Sequence, residues 1–85
     1  MSDVTKLTLE YPITTPEGTV ISELSIRRTK AKDIRQITGK TDTEQTISLL
    51  SILTGIVPED LDELDIADFK RATDIVEKQQ KGKSA

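Results

Sequence analysis

The hydrophobic positions of this chain follow two periods, and the switch between them divides it. Over residues 4–11, VTKLTLEY, Leu7, Leu9 and Tyr11 alternate with Lys6, Thr8 and Glu10, the period of two that marks a strand with one buried face. Pro12 cannot donate to a ladder, so the strand is expected to end there or to lie at a sheet edge. Thr15-Pro16-Glu17-Gly18 supplies a turn, with proline suited to its first central position and glycine to a left-handed one. A second alternating run, Thr19 to Arg27, predicts a partner strand with Val20, Leu24 and Ile26 on one face and Ile21, Glu23 and Ser25 on the other. The two make an antiparallel hairpin. Alone it is marginal, so its apolar face must lie on helices, or its edge must pair with another molecule in a homo-oligomer.

Beyond Arg27 the period becomes helical. Thr29 to Thr38 carries Ile34 and Ile37 at helical spacing behind a threonine cap, with Gly39 as a stop, and predicts a short basic helix. The stretch from Thr41 to Phe69 holds nearly half of the large aliphatic side chains and should supply the core and a partner surface. Ile47, Leu49, Leu50, Ile52 and Leu53 cover more than half of a helix's circumference and leave a narrow polar stripe of Glu44, Ser48 and Ser51. Thr41 caps this helix, with Glu44 reaching back as in a capping box, and Gly55 closes it ahead of Pro58. Pro58-Glu59-Asp60 opens a further short turn or helix that points Leu61 and Leu64 inward. Asp65 caps the last helix, with Asp68 in its first turn. Ile66, Phe69, Ala72, Thr73 and Val76 lie on its inward stripe, and Ile75, off that stripe, is expected to be exposed. The reading is an α+β fold: an N-terminal antiparallel β-hairpin packed on a small bundle of three to four α-helices. Residues 1–78 form one domain, and residues 79–85, QQKGKSA, a disordered tail.

Composition narrows the chemistry. Eighty-five residues make a domain that buries only about 60–65% of its unfolded surface. Cysteine and histidine are both absent, which removes disulfides, the usual structural zinc sites, thiol nucleophiles and the commonest general base. No cofactor, metal or enzymatic activity is expected. The acidic run Glu59, Asp60, Asp62, Glu63 and Asp65 lacks the glycine and spaced terminal Glu of a calcium loop, and the four glycines stand too far apart for a phosphate loop. No apolar run approaches the length that spans a bilayer, so neither membrane insertion nor export is expected.

Net charge is −3, distributed unevenly. Six bases and one acid, Asp33, fall between Arg27 and Lys40, whereas Thr41 to Phe69 holds eight acids and no base. The segment LLSILTGIVPEDLDEL imitates a helix-turn-helix, which makes a small DNA-binding regulator the alternative reading. Its second helix, however, would bring Glu59, Asp60, Asp62 and Glu63 to the phosphates, so no nucleic-acid partner is expected.

The order of elements, and two stretches in particular, resembles the small tail assembly chaperones of Mu-like and related contractile-tailed phages. From Leu7 to Ile26 a strand and "PI" precede a second strand similar to the family's "ELTLR". From Leu50 to Phe69 the residues Leu53-Thr54-Gly55, Pro58, Leu64-Asp65 and Ala67-Asp68-Phe69 resemble its "LTG…P…LD.AD" pattern. Arg28-Thr29-Lys30-Ala31 departs from a less basic "EPTA"-like segment. The resemblance implies a protein of the host cytoplasm that keeps the tape-measure protein soluble during tail assembly and is absent from the virion. The tail tube protein and a longer, frameshifted form of the chain itself are further expected partners. Slippage has a place to occur at Lys81-Gly82-Lys83, whose codons can contain a slippery heptamer. For the partner surface the candidates are Leu49, Leu53, Ile56, Val57 and Leu61, around the end of the central helix.

Overall fold

A turn closed by Thr15 starts the architecture. Its carbonyl accepts from the Gly18 N–H and its own N–H donates to the Thr19 carbonyl, both at 2.8 Å, while Gly18 takes a left-handed φ of 88°. The computed structural model describes residues 4–80. The turn joins β1 (Thr5–Thr14) to β2 (Val20–Ile26), and four helices follow: α1 (Ala31–Ile34), α2 (Asp42–Thr54), α3 (Pro58–Leu61) and α4 (Ile66–Gln80). The fold is thus the expected α+β arrangement of a hairpin against helices.

The hairpin is antiparallel but not regular. Thr8 pairs with Glu23 and Ile13 with Ile21, so four residues of β1, Leu9 to Pro12, stand opposite Ser22 alone. Four against one is an excess of three, an odd number, and an odd insertion changes which face of the partner strand points inward. Leu24 and Ile26 are buried on one side of the bulge. On the other, Ile21 packs on the core while Val20 is 62% exposed, which corrects the unbroken alternation expected for β2. Pro12 sits within the bulge, where its missing amide leaves no gap in the ladder, and β1 continues through it to Thr14. Tyr11, expected inside with Leu7 and Leu9, lies in the same irregular stretch and is 56% exposed.

The core is a single cluster. Leu7, Leu9, Ile13, Leu24 and Ile26 of the hairpin meet Leu49, Leu50 and Leu53 of α2, Leu61 of α3, and Ala72 and Val76 of α4. Helix α2 has the expected ends: Thr41 Oγ1 accepts from the Glu44 N–H at 3.1 Å, and Gly55, at φ 77°, closes the helix by donating its N–H to the Ser51 carbonyl. Glu44 reaches one residue further back than a capping box requires, accepting from the Lys40 N–H at 3.2 Å. The small stripe of α2 admits the loop after α1, where the Thr38 N–H donates to Ser48 Oγ at 3.0 Å.

Helix α1 is shorter than expected, with Lys30 rather than Thr29 at its N-cap; Ile34 is exposed and Ile37 half-buried. At the head of α4, Asp65 Oδ2 accepts from the Ala67 N–H at 3.0 Å. Two positions of α4 differ from expectation. Ile66 is 68% exposed, and Ile75 packs against the core. The helix also continues through Gln80, into the segment read as tail, because Gln79 is tied to the chain near Thr29. Residues 81–85, including the expected slippage position, lie outside the described residues.

Candidate partner-binding surface

Two buried carboxylates hold the elements that carry the surface. The β1 bulge presents the amides of Glu10 and Tyr11 away from β2, and Asp68 of α4, 0% exposed, accepts both, at 3.1 and 3.0 Å. The Arg71 guanidinium completes this clasp, donating to Asp68 Oδ1 and to the Thr8 carbonyl, each at 2.9 Å. At the other carboxylate, Arg27 donates two bonds of 2.8 Å to Asp33, which also accepts from the Lys30 N–H at 2.8 Å. Hydrogen bonds from Arg27, and then the Lys30 amide, hold the Asp33 carboxyl well below the usual carboxylate range. Gln79 Oε1 accepts from both the N–H and the hydroxyl of Thr29, and its Nε2 donates to the Arg27 carbonyl. Part of the basic segment is therefore structural.

Neither carboxylate was assigned this role from the sequence. For Asp68 a signal was present: Asp68, Ala72 and Val76 follow at i, i+4 and i+8, so the acid lies on the buried stripe of α4. For Asp33 the only hint was a lone acid among six bases.

The five residues expected at a partner surface differ widely in exposure. Leu49, Leu53 and Leu61 are core, Ile56 is half-buried against it, and Val57 alone is largely open, at 53% exposure. Leu49 and Leu61 do reach the floors of two separate clefts. One, of about 180 Å³, is lined by Thr43 and Ile47 of α2, Leu61, Asp62 and Leu64 around α3, and Ile66 and Phe69 of α4. It shares Ile47 and Asp62 with a neighbouring depression of about 440 Å³ whose walls include Glu44, Ser51, Ile52 and Pro58. Neither wall contains a lysine or arginine. The other cleft, of about 720 Å³, lies between the first half of α2 and the second half of α4 and is more polar, with Asp42, Gln45, Thr46, Thr73 and Glu77 over Ile37, Leu49 and Val76.

The helix-turn-helix imitation resolves into α2, Gly55 and an α3 of four residues that carries Glu59 and Asp60. Among the described residues no group of His, Cys, Asp or Glu is placed to hold a metal ion, and no helix is long and apolar enough to cross a membrane.

The geometry defines a class: a small α+β domain in which a bulged hairpin is clasped to a helical layer bearing apolar grooves edged by Asp62 and Glu44. A family model described as "Phage tail assembly chaperone proteins, E, or 41 or 14" matches residues 6–79, and the chain belongs to this family of phage tail assembly chaperones. No curated protein and no solved structure matches it.

Proposed function

We propose that this chain binds the tape-measure protein of its phage in the host cytoplasm, holds it soluble while tail tube subunits polymerise around it, and is left out of the finished virion. The observation that carries the reading is membership of the tail assembly chaperone family over residues 6–79, nearly the whole chain. The surface agrees with such work, since a long, apolar, helical client needs a partner that offers apolar grooves in an acidic setting. Contacts with the tube protein, and with a longer product of ribosomal slippage, belong to the same proposal. Co-expression with the tape-measure protein tests it: that protein should move to the soluble fraction and co-purify with this chain. If it stays insoluble, the reading fails.

A further inference from the structure

The apolar side chains that α2, α3 and α4 leave open converge on one place. Ile66 is the first residue of α4 and, among the described residues, the most exposed of the large hydrophobics, while Ile47, Leu64 and Phe69 are half-buried around the same groove, whose floor is the fully buried Leu61. Through Ile47 and Asp62 this groove runs into the depression that holds Ile52 and Pro58. The floor is fixed by the core, and the rim is free to receive side chains.

Charge specifies what fits. Asp62 lines both depressions and Glu44 the second, with no lysine or arginine in either wall. Of the eight acids between Thr41 and Phe69, Asp68 alone has an ion-pair partner among the described residues. A partner laid in this groove therefore gains by bringing cations to the rim while inserting aliphatic side chains between Ile47 and Ile66.

We propose that this groove takes an amphipathic helix of the partner, one whose apolar ridge at i, i+3, i+4 and i+7 is flanked by lysine or arginine. The inference rests on the chaperone reading for the existence of a partner, and adds to it where that partner docks and with what chemistry. A second copy of the chain fits poorly. Its basic segment holds a helix of only four residues, and the Arg27 within it is already engaged by Asp33. The larger cleft between α2 and α4 is a weaker candidate, since its rim is formed mostly by polar side chains, Asp42, Gln45, Thr46, Thr73 and Glu77.

The test uses the full chain and three synthetic helical peptides of about five turns. One carries leucines on a single ridge flanked by lysines, one has glutamates in place of those lysines, and one keeps the lysines but scatters the leucines. Methyl NMR should place the first peptide at Ile47, Leu64 and Ile66, with the other two binding at least about tenfold more weakly. Ile66→Asp and Asp62→Lys, both at exposed positions, should keep native circular dichroism and weaken the first peptide by a similar factor. Equal binding of the scattered or the glutamate peptide, shifts confined to the cleft near Thr73, or no effect of Ile66→Asp would overturn the inference. So would sedimentation equilibrium showing self-association that Ile66→Asp abolishes, since the occupant would then be a second copy. Co-expression separates the two proposals. If the wild-type chain fails to solubilise the tape-measure protein, the chaperone reading falls and the docking inference with it. If the wild-type chain and Ile66→Asp both succeed, only the docking inference falls.

Discussion

Asp68 and Asp33 are chemically alike and structurally opposite. Each is a buried carboxylate that accepts from the backbone and from an arginine. Asp68 reaches amides 58 and 57 positions away, across the junction of β1 and α4. Asp33 reaches an amide 3 positions away and a guanidinium 6 positions away, from α1 back into the loop before it. The long closure joins the first strand to the last helix, whereas the short one shapes the chain between β2 and α1. What a buried carboxylate protects thus depends on the sequence it spans more than on its own chemistry.

The largest test of this difference is Asp68→Ala. It leaves the Glu10 and Tyr11 amides without their acceptor and removes the nearer of Arg71's two carboxylates, the other being Glu10 at 3.6 Å. Each backbone amide stranded in this way costs about 1–3 kcal/mol, out of a total of about 5–15 kcal/mol for a domain. Urea unfolding followed by circular dichroism should show a largely unfolded or severely weakened domain. A loss below about 1 kcal/mol would mean that the clasp is incidental. Arg71→Met keeps both amide bonds but leaves the buried Asp68 charge without its guanidinium, so it should also be strongly destabilising.

Asp33→Asn should act locally. Hydrogen exchange is expected to rise over residues 27–37 and stay low in β1 and α4; global loss of protection would erase the contrast with Asp68. Asp33→Asn should also part company with the wild-type chain in acid. The folded-state carboxyl of Asp33 is depressed, so it contributes stability above its unfolded value of about 3.9 and loses that contribution as pH falls below it toward the folded value. Between about pH 4 and the acid limit the wild-type chain should therefore lose more stability than Asp33→Asn. Parallel curves for the two proteins would remove Asp33 from the acid response.

The parts of the fold legible in the sequence are those whose signals are local. Thr41, Gly55 and Pro58 delimit α2 and α3 because caps and stops act within a turn of themselves. The bulge was invisible, since the alternation in VTKLTLEY carries no record of how many residues the partner strand sets against it. For the surface, Leu49, Leu53, Ile56, Val57 and Leu61 were grouped by closeness to the end of α2, yet burial depends on which side the hairpin and α4 cover. Ile66 was assigned to the core by its period. Helical spacing gives the direction of a contact face and not where that face ends, and Ile66 stands at the first position of α4, beyond it.

The smallest expected effect lies where the chain was read as tail. Gln79 accepts from Thr29 at 2.8 and 2.7 Å and donates to the Arg27 carbonyl at 3.2 Å, so the last turn of α4 holds the loop whose other end Asp33 holds. A typical neutral hydrogen bond contributes about 0.5–1.5 kcal/mol net, and the cost of ordering a glutamine offsets part of three. Gln79→Ala should therefore cost only about 1 kcal/mol and raise amide exchange at Thr29. Truncation after Lys78 should reproduce both effects. If the truncated chain keeps its urea midpoint and Thr29 keeps its protection, the tether contributes nothing and Asp33 alone orders the loop. If truncation instead matches the loss seen in Asp68→Ala, the end of α4 belongs with the long closure, and the division between a global and a local clasp fails.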